Sequence, residues 1–173
     1  WFNEKELNLI VMSFDRLGYA KLNEYISTLA LNSHGEWIIT WNDDAIMESQ
    51  DWDKEIDSYR GKFKILAFKD NHNEHPYSIF PIIPRDWLIL FGNVSPQQAI
   101  DAWVSQVAYL TDCFQRIESV VTHDRHDLTG NNDDTTYQER EFLEGDHSRV
   151  GDAFHPDMIA LKELYAQKVY WFL

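Results

Sequence analysis

Two short apolar runs bracket an amphipathic stretch near the start of the chain, and the second run stops abruptly on acid. Asn8 to Ser13 reads NLIVMS, and Glu36 to Trp41 reads EWIITW. Both are too short for helices and are built from the residue types that fill buried strands. Between them, Leu22, Tyr25, Ile26, Leu29 and Ala30 recur at helical spacing over Tyr19 to Asn32, and His34-Gly35 supplies a stop. This strand–helix–strand order predicts a right-handed crossover and a mostly parallel sheet of α/β class, with both runs as central strands. In open sheets of that class, ligands bind beyond the carboxyl ends of the strands. Asn42-Asp43-Asp44 stands at such an end.

Downstream, Asp51 to Arg60 reads as a short helix and Lys62 to Phe68 as a strand. A polar loop runs from Asp70 to Pro76, followed by a strand over Tyr77 to Ile83. Pro84 suits the first turn of a short helix that stops at Gly92. Ser95-Pro96 opens a helix running to about Cys113, and Phe114 to Thr122 reads as a strand. Residues 1–134 are expected to form the core, and residues 135–173 a C-terminal helical extension broken near Gly151 to Pro156.

Charge narrows the choice of ligands. With 29 acidic and 15 basic residues, the formal net charge is −14. Such a surface repels phosphate backbones and argues against general nucleic-acid binding. A nucleotide held through a divalent cation remains compatible, because the cation reverses the local sign. The single cysteine, Cys113, rules out an intrachain disulfide and a Cys-based zinc site, so a cytoplasmic setting is expected. No run is long enough to span a membrane.

Paired carboxylates after a buried strand are a common way to hold Mg²⁺ or Mn²⁺, whose hard charge prefers oxygen ligands. The same residue types also suit a turn or a helix N-cap. The wider pattern favours the first reading. Leu17-Gly18-Tyr19-Ala20-Lys21-Leu22-Asn23-Glu24, then Ala30, Gly35-Glu36-Trp37-Ile38-Ile39 and Asn42-Asp43-Asp44, resembles the central block of GT-A glycosyltransferases, particularly the family-2-like group. In that group a Gly precedes a strand and an Asp-x-Asp motif follows it; here Asn42 replaces the first acid. Phe80-Pro81-Ile82-Ile83-Pro84-Arg85-Asp86-Trp87 with Phe91-Gly92 is similar to the family's acceptor-side segment.

The resemblance implies a metal-dependent transfer of a sugar from a nucleoside diphosphate sugar to an acceptor hydroxyl. It implies Asp44 as the ligand of Mn²⁺ or Mg²⁺, with Asp43 in support and Asn42 toward the ribose. It implies Asp101 as the catalytic base, although a first-turn acid also suits the dipole of its helix. His123, or else His126, is the expected further metal ligand, and Arg16 and Arg85 are the candidates for the diphosphate. The family also places a nucleotide-binding strand–helix–strand unit ahead of Asn8. The chain opens on Trp1 with little room for that unit, so a fragment or a reduced first half is expected. Two other readings use the same residues. One is a phosphohydrolase with two cations on Asp43, Asp44, His123 and His126. The other is a non-catalytic carbohydrate-binding or assembly module.

Overall fold

The computed structural model describes residues 22–71, 76–96, 99–124 and 156–173. The expected strand Asn8–Ser13 lies outside them, as do Arg16 and His126. The described elements are α1 (Leu22–Asn32), β1 (Trp37–Ile39), β2 (Ala45–Met47), α2 (Trp52–Asp57), β3 (Ile65–Asp70), β4 (Pro81–Pro84), α3 (Arg85–Phe91), α4 (Ile100–Leu110), β5 (Phe114–His123) and α5 (Pro156–Phe172).

The α/β class is as expected, but the sheet is mixed rather than mostly parallel. Its strand order is β1-β4-β3-β5-β2. Among the described strands, only β3 and β5 pair in parallel; β1 with β4, β3 with β4, and β2 with β5 are antiparallel. The expected crossover from Asn8–Ser13 lies partly outside the described residues, and among the described strands a helix enforces parallel pairing only when it carries the chain back to a neighbouring strand. β4 instead runs antiparallel to β3, and α3 and α4 lie between it and β5. Within the described sheet β1 stands at an edge, not at the centre. These pairings still run β1, β3 and β5 in one direction. Their carboxyl ends therefore share one end of the sheet, where the start of β2 joins them through the pair Ala45 and His123.

Strand alternation sends side chains to two cores. Ile38, Ile65 and Ile83 face α1, α3, α4 and α5, and pack with Trp87, Trp103, Tyr165 and Val169. Leu66, Phe68, Ile82, Ile117 and Val121 face α2 and its Ile56. The buried stripe of α1 differs from the expected one. Asn23, Ser27 and Ala30 are buried, while Leu29 is exposed. Ser27 faces inward because its hydroxyl accepts a hydrogen bond from the Val94 N–H at 3.1 Å, a contact that hydrophobic spacing cannot foresee. α4 also starts later than expected, at Ile100 rather than Pro96. Gly92 ends α3 in the left-handed conformation, as its position suggested.

A bulge in β5 carries a structural cost that α2 offsets. Ala67 pairs with Arg116 but Lys69 with Val120, so Phe68 alone faces Ile117, Glu118 and Ser119. The bulged N–H groups lose their ladder partners. Glu55 on α2 accepts them, from Glu118 N at 2.7 Å and Ser119 N at 2.9 Å, and also accepts the Ser119 hydroxyl. Burial pushes the Glu55 carboxyl up, but these hydrogen bonds outweigh it and hold it below the usual carboxylate range. Glu55→Ala is expected to destabilise the fold by about 1.5–3 kcal/mol, the range for hydrogen bonds to a charged group. The sign follows from the lowered pKa: the contribution is present above the ordinary carboxylate range and is lost as pH falls through the Glu55 pKa. Urea unfolding of both proteins should therefore show a gap at neutral pH that closes in acid. A gap independent of pH would rule this out.

Candidate functional site

The chain leaves β1 at Ile39 and reaches the end of the sheet on Trp41, Asn42 and Asp43, all exposed. Asp43 and Asp44 then form a turn that leads directly into β2, not into a helix. The N-cap alternative for these acids is therefore not realised. The turn is tied to the end of β5, where the Asp124 N–H donates to the Asp44 carbonyl at 2.9 Å.

His123 is the last residue of β5 and comes from the other side of the sequence. It lies on the same sheet face as Ile117 and Val121 and is buried. Its Nε2 lies 3.2 Å from Asp44 Oδ2. The side chain of His123 is 6% exposed and that of Asp44 31%, so the pair sits at the boundary between core and solvent. Asp44 Oδ1 and His123 Nδ1 are buried, with no hydrogen-bond partner among the described residues. The expected convergence of these two residues is therefore present.

Asn71 fixes the backbone beneath the histidine. It accepts from His123 N at 2.9 Å and donates through Nδ2 to the His123 carbonyl at 3.1 Å. The amide thus extends the β3/β5 ladder beyond its last pair, Asp70 with Val121. Asp70 itself is buried at the end of β3. Phe80 packs edge-on against the His123 ring, with centroids 4.9 Å apart. Sequence reasoning missed Asp70, Asn71 and Phe80 as parts of this end. Asp70-Asn71 repeats the signal of Asn42-Asp43-Asp44, a polar pair where an apolar strand stops.

The other candidates fall differently. Asp101 lies in the first turn of α4, partly exposed. Pro76, Tyr77 and Ser78 bind Tyr109, Gln106 and Ser105, so that segment runs antiparallel to α4. It heads toward the start of α4 as it approaches Phe80. Asp101 is thus on the end of α4 nearer the strand-end site, although no described contact joins it to Asp44 or His123. Arg85 is not brought to the site. It follows Pro84, which pairs with Trp37 at the start of β1, so it stands at the opposite end of the sheet. Its guanidinium donates to the Ser33 carbonyl at 2.6 Å, just beyond the end of α1.

Oδ2 of Asp44 and Nε2 of His123 can share a proton or share a cation. Their 3.2 Å spacing suits adjacent ligands of one ion, with bonds of about 2.0–2.2 Å. The unpartnered Oδ1 of Asp44 is a further acceptor of the right chemistry. Among the described residues, no group of three or more His, Cys, Asp or Glu side chains is placed to hold a metal. Nor is any described helix long and apolar enough to cross a membrane. No family model, no curated protein and no solved structure matches the chain.

Proposed function

We propose that this chain is a metal-dependent glycosyltransferase of the GT-A type, moving a sugar from a nucleoside diphosphate sugar to an acceptor hydroxyl. The observation that carries the reading is the meeting of Asp44 and His123, 79 residues apart, at the carboxyl ends of β1, β3 and β5. Asp44 and His123 would hold Mn²⁺ or Mg²⁺, and the exposed Asp43 of the same turn would add charge to the site. A bound cation supplies positive charge against the departing diphosphate. Asn42, also exposed, offers its amide to the ribose. The acceptor oxygen bonds to the anomeric carbon. The bond from that carbon to the diphosphate breaks, and its electron pair leaves with the phosphate oxygen. In an inverting reaction the acceptor proton passes to the Asp101 carboxylate.

Asp101 separates binding from chemistry. Asp101→Asn is expected to leave Mn²⁺-dependent binding of UDP- or GDP-linked sugar intact and to slow transfer by about 10²–10⁴-fold, the usual worth of a general base. Equilibrium binding and product formation on the same preparations provide the check. Parallel loss of both, in a variant that remains folded, would remove Asp101 from the base role.

A further inference from the structure

Trp41 is the last residue of the apolar run before Asn42-Asp43-Asp44, and it is 40% exposed. Its ring is nevertheless held firmly. The Phe80 ring lies 4.9 Å away at a tilt of 32°, and the Phe68 ring 6.0 Å away, edge-on at 88°. Both phenylalanines are buried. The indole therefore has a rigid apolar backing and an open side. Phe80 also contacts His123, so Trp41 stands one ring's step from the Asp44–His123 pair. The exposed carboxylate of Asp43 is two residues along the same turn.

A flat apolar surface with an exposed carboxylate two residues along the chain offers the two chemistries that recognise a pyranose. The C–H face of the sugar ring packs on the indole, and hydroxyls around its rim donate to the charged oxygens. A nucleobase also stacks on indole but lacks that rim of hydroxyls. Phe80, which touches both Trp41 and His123, separates a ring seated on Trp41 from the Asp44–His123 pair, and that spacing suits the acceptor rather than the leaving diphosphate. We propose that Trp41 is a stacking platform for the pyranose ring of the sugar acceptor, with Asp43 accepting from its hydroxyls. That the bound ring is the acceptor rests on the glycosyltransferase reading; that a pyranose binds there does not.

The test uses the full chain, unchanged and as Trp41→Ala and Trp41→Phe. Saturation-transfer NMR is run with methyl β-D-glucopyranoside, methyl β-D-galactopyranoside, methyl α-D-mannopyranoside and cellobiose, followed by titration of the strongest binder. At least one glycoside should bind, with saturation concentrated on its ring C–H protons. Trp41→Ala should weaken it by about tenfold, while Trp41→Phe, which keeps a flat ring, should stay within about threefold. Binding of UDP with Mn²⁺ should be unchanged in both variants. The proposal is overturned if no glycoside binds the unchanged chain, or if Trp41→Ala binds within about twofold of it. It is also overturned if a folded Trp41→Ala loses UDP binding, since the indole would then serve the base. Should Trp41→Ala unfold, a loss of glycoside binding in folded Trp41→Phe as large as that of UDP binding overturns it too. Absence of Mn²⁺-dependent UDP binding alongside Trp41-dependent glycoside binding would sink the glycosyltransferase reading and leave the sugar platform standing.

Discussion

Asp44→Ala is expected to abolish cation-dependent binding of a nucleoside diphosphate sugar, and Asp44→Asn to fail as completely. The diphosphate is anionic and approaches a chain of formal charge −14 at a turn that carries two adjacent carboxylates. Without a cation between them the like charges repel. Asn keeps the shape of Asp44 and can still hydrogen-bond His123 Nε2, yet it lacks the charge that the proposed cation would require of Oδ2. Removing a residue that merely orients a ligand costs about 10–100-fold in metal affinity, so a direct ligand should cost at least about 100-fold. Titration of Mn²⁺, followed by the paramagnetic resonance of the free ion, measures this without a nucleotide. Equal Mn²⁺ affinity in Asp44→Asn and the unchanged chain would show that the pair shares a proton, not a cation.

The second large effect is on stability. Trp87→Ala should destabilise the fold by about 3–5 kcal/mol, the cost of truncating a large aromatic side chain in a packed core. Trp87 is fully buried between the sheet and the helices, edge-on to Phe91 at 4.7 Å. Its Nε1–H donates to the Val94 carbonyl at 3.0 Å, so truncation leaves a buried acceptor as well as a cavity. Val94 N is meanwhile held by Ser27 on α1. The loss therefore reaches the helix that packs beside β1. Trp87→Phe fills most of the volume but forfeits the hydrogen bond, and should cost about 1–3 kcal/mol. Denaturant unfolding with an unchanged slope and a lowered midpoint is the expected signature. A midpoint for Trp87→Ala close to that of the unchanged chain would contradict this packing.

Local chemistry was legible in the sequence where one residue type dictates the outcome. Gly92 ends α3 because only a residue without Cβ takes the left-handed conformation freely, and the segment read as a strand at Phe114 to Thr122 became β5 almost to the residue. The meeting of Asp44 with His123 was also legible, since Asp44 follows β1 and His123 ends β5, and those two strands run the same way. Pairing was not. Whether β4 returns antiparallel to β3 depends on the path of the intervening loop, and no periodicity records that path. β2 is three residues at the sheet edge with no alternation to betray it, so it was missed. Ser27 and Glu55 were missed for a shared reason. Each is a polar side chain whose partner is a backbone group far away in sequence, Val94 N for one and the β5 bulge for the other. Arg85 was misplaced because sequence gives no sense of which end of a strand faces the site.

The most direct test of the central claim is calorimetry of the full chain with UDP- and GDP-linked sugars, in Mn²⁺ and again after EDTA. One of them is expected to bind in Mn²⁺, with one cation per chain, and none after EDTA. Nucleotide-sugar binding that survives EDTA, two cations per chain, or no binding in either condition would contradict that claim.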